Sequence, residues 1–107
     1  MSTSDSALTG EMLDAAIVAY VGRGRVKIPT ADPAAAAAVD PLHAEELVAQ
    51  VKHAIKVSDT VPFEDVAPFD TGLRARLYAR LRALLPHLGE AGIEALGWRW
   101  GYLQFGQ

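Results

Sequence analysis

Three stretches of this sequence place apolar side chains every three or four residues. That is the period of an α-helix with one face turned to a core. In the first stretch Leu13, Ala16, Ile17, Tyr20 and Val21 share a face. In the second the stripe is Ala44, Leu47, Val48, Val51, Ala54 and Ile55. In the third it is Leu73, Leu77, Leu81, Leu84 and Leu85, with Tyr78 at its edge. A chain of 107 residues carrying three such stripes has one core to build and the helices to build it from. The fold class expected is mainly α, a small bundle of three to four helices.

The punctuation sets the boundaries. Residues 1–8 are small and polar and read as a flexible N-terminus, with a single helical domain over 9–107. Thr9 is placed to cap a first helix over about 10–21, stopped by Gly22 and Gly24. Residues 22–40 read as a loop or linker punctuated by Pro29 and Pro33. Its five consecutive alanines admit two readings: a short helix with Pro33 at its first position, or a low-complexity linker. Asp40 followed by Pro41 is a helix-start pair, predicting a helix from Pro41 to about Val57. Phe63 and Phe69 are expected to pin the following loop to the core. Asp70 or Thr71 then caps a helix over 72–85, ended by Pro86. Gly89 and Gly92 bracket a weaker helix near 90–96, with Gly97 as its stop.

Composition removes several function classes. With no cysteine, disulfides, thiolate catalysis and cysteine zinc sites are excluded. A net charge of −3, spread evenly along the chain, argues against nucleic acid as the main partner. The longest apolar run, Ala15 to Val21, is too short to span a bilayer, and a cytoplasmic setting is expected. The wealth of alanine, with arginine favoured over lysine, reads as the stamp of a GC-rich bacterial genome.

Two constellations carry charge. His43, Glu46, Gln50 and His53 fall on the polar side of the second helix. His43 and His53 lie nearly three turns apart, about 15 Å, too far to share one ion. The group reads as a solvated face, and neither a metal nor a cofactor is expected. The stretch LRARLYARLRALL carries Arg74, Arg76, Arg80 and Arg82. Arg76 and Arg80 are one turn apart and suited to grip an anionic ligand together. Arg74 falls within the leucine stripe, where an ion pair with Asp70 or a nearby acid is expected. Ala75, Ala79 and Ala83 form a small-residue ridge for close helix approach, expected within the chain rather than across a dimer. GRGR at 22–25 lacks the strand, helix and full glycine pattern of a phosphate loop and reads as an exposed basic turn.

The last stretch, GWRWGYLQFGQ, holds both tryptophans. Trp98, Trp100 and Tyr102 alternate with Arg99 and Gly101, and three glycines oppose a helix. The pattern predicts a short extended aromatic C-terminal segment. A minor two-stranded β element made with residues 25–28 is compatible with it. Such rings pack over the bundle, face a partner, or offer a stacking platform for a sugar, base or other flat ligand; tryptophan, tyrosine and arginine are the residues enriched at binding hot spots. With no glycine-framed nucleophilic serine and no His-Glu-x-x-His motif, no catalytic residues are expected. The functional expectation is a non-catalytic interaction module binding another protein, or itself as a homo-oligomer. Trp98, Trp100, Tyr102 and Phe105 are its apolar anchors, and Arg76 and Arg80 its polar contacts. Two alternatives stand beside it. One is a small-molecule-binding protein or enzyme with an inter-helix pocket using His53, His87, Tyr78 and the arginines. The other is an anion- or nucleic-acid-binding module.

Overall fold

Helix α1, Gly10–Val21, buries the face its periodicity marks out: Leu13, Ala16, Ile17, Tyr20 and Val21. In this computed structural model, which describes residues 10–62 and 72–105, it is followed by four further α-helices. They are α2 (Pro33–Ala37), α3 (Ala44–Ser58), α4 (Leu73–Leu84) and α5 (Glu90–Phe105), with a 3-10 turn at Pro41–His43 before α3. The molecule is mainly helical, as the three stripes require, and the described residues contain no strand. The expected flexibility of residues 1–8 and the roles given to Thr9, Phe63, Phe69, Asp70 and Thr71 lie outside the described residues.

The end of α1 shows why the next segment is irregular yet ordered. The last four carbonyls of a helix have no partner within it and need one elsewhere if they are not to be left unpaired. Here each finds one. Gly22 turns with φ +80°, a conformation that glycine adopts without steric cost, and its N–H donates to Val18 O at 2.8 Å. The Arg25 guanidinium donates to Ala19 O at 3.2 Å. Tyr20 O accepts from Thr30 Oγ1 at 2.6 Å and from Asp32 N at 3.1 Å, and Val21 O accepts from Thr30 N at 2.9 Å. Residues 25–28 therefore lie in a turn that folds back over α1, with Ile28 exposed, and the expected β element is not formed.

The alanine run is helical. Asp32 accepts the Ala35 N–H at 3.1 Å as an N-cap, Pro33 occupies the first turn, and Ala36 is fully buried. Packing against α1 and α3 supplies what two turns of alanine lack in isolation. The helix expected from Pro41 instead begins as the 3-10 turn. Asp40 makes no capping bond to the backbone there, because its carboxylate takes His43 Nδ1 at 2.8 Å. α3 then buries Leu47, Val51, Ala54, Ile55 and Ser58; the buried Ser58 hydroxyl donates to Ile55 O at 2.7 Å.

α4 turns Leu77 and Leu81 into the core. Leu84, expected in the buried stripe, is 41% exposed, while Leu85 is buried after the helix has ended. Ala75, Ala79 and Ala83 are exposed, so the expected small-residue contact within the chain is not made. Arg74 is exposed rather than partly buried, and Asp70, expected to pair with it, lies outside the described residues.

The largest correction concerns the C-terminal stretch. Gly97 does not stop a helix; α5 runs through Gly97 and Gly101 to Phe105, and there is no extended aromatic segment. Each interior glycine costs a helix about 1 kcal/mol relative to alanine. Tertiary contacts outweigh that cost. Ile93, Leu96 and Trp100 are buried to 2% exposure or less, and Trp100 Nε1 donates to Val61 O at 3.1 Å. Burying a side chain of this size is worth roughly 2–3 kcal/mol. Arg99 adds an ion pair to Asp59 at 2.7 Å. At the other end Asp14, a buried acid on α1, accepts the Gly89 N–H at 3.0 Å and so caps α5 from another helix. α5 thus lies against α1 along its first turns and against α4 further on.

Candidate functional site

The face of α5 turned towards α4 is built from an unusual set of residues. At about 100° per residue, Gly97 and Gly101 lie about 40° apart on one line of the helix, with Trp98 and Tyr102 along one flank and Trp100 along the other. Glycines make a floor and rings make walls. From α4, Leu73, Arg74, Leu77 and Tyr78 fall within about 140° and face the same space. Arg23, from the turn after α1, closes one end. Together these residues line a half-open cleft of about 340 Å³.

Two glycines on that floor have different neighbours. A Cβ at Gly97 would run into the Tyr78 ring, so the bare backbone there is what lets α4 and α5 approach. A Cβ at Gly101 would meet nothing within 4 Å. The cleft is the space in front of Gly101.

The polar groups of the cleft are mostly donors. Arg23 lies 4.0 Å from Glu94, with both side chains about 40% exposed, a long and screened pairing. Arg82, on the outer flank of α4, sits 5.9 Å over the Tyr78 ring and pairs with Glu90 at 3.0 Å. Among the described residues no hydrogen bond or ion pair engages the Arg74 guanidinium, the Trp98 N–H or the hydroxyls of Tyr78 and Tyr102.

Of the residues singled out in the sequence, Trp98, Trp100 and Tyr102 meet in this cleft, Trp98 and Tyr102 half-buried and Trp100 buried. Phe105 is the last residue of α5, and its side chain lies outside the described residues. Arg76 and Arg80 sit on the flank of α4 away from Arg74 and Tyr78 and do not line the cleft; neither is without a partner. His53 and His87 are exposed and away from the cleft, and His43 is held by Asp40. No histidine lines the cleft. Among the described residues no cluster of histidine and acidic side chains is suited to a metal ion, and no helix is long and apolar enough to cross a membrane.

Arg23 and Arg74 are the site residues that sequence reasoning did not bring together. The signal is GWRWGY read as a helix: glycines four apart, each followed by a ring. Two other hollows carry less chemistry. One is a strip of consecutive residues, Pro41 to Glu46, with no opposing wall. The other, between α2 and α3, is lined mainly by Pro33, three alanines and Val48.

No protein-family model, curated protein or solved structure matches this chain.

Proposed function

We propose that this chain is a non-catalytic interaction module that binds another protein, or a second copy of itself, by taking a partner side chain into the cleft between α4 and α5. One observation carries this reading: Trp98, Tyr102 and Tyr78 line a single cleft together with Arg23 and Arg74. Tyrosine, tryptophan and arginine gathered around a concave, partly desolvated pocket are the chemistry of a binding hot spot. The cleft sits at the small end of ligand pockets, which run roughly 300–1,000 Å³, and has room for one anchoring group. Trp98 and Tyr102 are the anchors, and Trp100 is the wall fixed to the core behind them. Phe105 continues the same helix, and Arg76 and Arg80 belong to the periphery of the surface. A cysteine-free chain fits a cytoplasmic setting.

Catalysis finds less support. Among the described residues the cleft is lined by no histidine, no carboxylate and no hydroxyl nucleophile other than tyrosine. A second reading, in which the cleft holds a free small molecule, is favoured by its size and by the donors that line it.

The test is to fill the cleft without dismantling it. Gly101→Leu places a side chain where the backbone has open space. The native and substituted proteins would be compared by light scattering for self-association, and by affinity purification from the native host for partners. The expected result is an intact helical spectrum with loss of association. Retention of every association by a well-folded Gly101→Leu protein would overturn the reading.

A further inference from the structure

We infer that the cleft between α4 and α5 selects an aromatic carboxylate: a flat ring carrying an acid group close by. The inference rests on the reading of the cleft as the binding surface and specifies what fills it.

The polar inventory sets the sign of the ligand. A guanidinium and an indole N–H can only donate, and a tyrosine hydroxyl donates or accepts. Arg74, Trp98, Tyr78 and Tyr102 bring four such groups to the cleft, none of them engaged by a hydrogen bond or ion pair among the described residues. The second cation, Arg23, is opposed by Glu94 at 4.0 Å, so among the described residues one positive charge is left in excess. A group rich in acceptors and negatively charged answers that set, and a planar carboxylate matches the fork of an arginine through two parallel bonds.

The walls set the rest. A bare anion gains nothing from two aromatic flanks and a glycine floor, whereas a ring stacks on them and shuts out water. The cleft at Gly101 has room for one ring with an acid group beside it. Two sources present this chemistry: the C-terminal residue of a polypeptide that ends in phenylalanine or tyrosine, and a free aromatic acid.

Amide and indole NMR of the full chain tests the inference with four probes. They are N-acetyl-L-phenylalanine, its carboxamide, N-acetylglycine and a short peptide ending in phenylalanine. The acid is expected to shift the Gly101 amide and the Trp98 indole saturably, with the carboxamide about tenfold weaker. N-acetylglycine should leave both signals in place. Arg74→Gln, at an exposed position, should bring acid and carboxamide to the same affinity. A peptide that binds tighter than the free acid assigns the ligand to a protein terminus, and equal affinities assign it to a small acid. Equal binding of acid and carboxamide to the native chain would overturn the carboxylate, as would absence of shifts at Gly101 and Trp98 with every probe. Either result leaves the docking reading standing or falling on Gly101→Leu alone.

Discussion

α5 meets its neighbours through glycines at two places, and the two are built differently. Where it lies against α1, the space in front of Gly92 is filled: a Cβ there would sit 2.5 Å from Asp14 Oδ1 and 3.1 Å from its Cγ. Where it lies against α4, the space in front of Gly101 is open. The same residue type closes the contact with α1 at Gly92 and with α4 at Gly97, and leaves open space at Gly101. Its role is set by what stands opposite, not by its propensity.

The contrast can be broken or sharpened by substitution, read as shifts of the chemical denaturation midpoint. The heaviest blow is Trp100→Ala. It removes a buried ring shared by the core and the cleft wall and orphans the Val61 carbonyl, and should cost about 3–5 kcal/mol. Gly92→Ala comes next. Alanine brings the better helix propensity, but its methyl displaces the carboxylate that caps α5, and a net loss of about 1–3 kcal/mol is expected. Gly101→Ala should move the other way, stabilising by up to about 1 kcal/mol, because propensity is gained and nothing is struck. If Gly92→Ala and Gly101→Ala changed stability alike, the two interfaces would not differ as described.

Much of this architecture was legible beforehand. The stripes of α1 and α3 name most of their buried faces and that of α4 names Leu77 and Leu81, while Pro33 marks the start of α2 in one of the two readings open for the alanine run. The C-terminal stretch misled for a physical reason. A glycine is penalised in a helix by local entropy, and that penalty is visible in any sequence. The gain that offsets it, a tyrosine ring or a carboxylate lying where a Cβ would be, depends on residues far away in the chain. Alternating Trp98, Trp100 and Tyr102 has the period of a strand, but it equally puts rings on both flanks of a helical glycine line. Asp14 sits beside an apolar stripe, and its partner, the Gly89 N–H just ahead of α5, lies 75 residues away. Leu84 was lost from the core because α4 ends there and Leu85 reaches inward in its place.

The bond from Asp14 to Gly89 spans 75 residues and ties the first described helix to the last. Closing so long a loop costs little more free energy than closing one of half the length, about 0.6 kcal/mol. Rate is another matter: bundles fold fast when their contacts are local, and the contact between α1 and α5 is not. Helices α1 to α4 can form and jostle early, with α2 and α3 covering part of α1, but the face of α1 that meets α5 stays open until α5 arrives. The chain should therefore collapse slowly for an all-helical protein of its size.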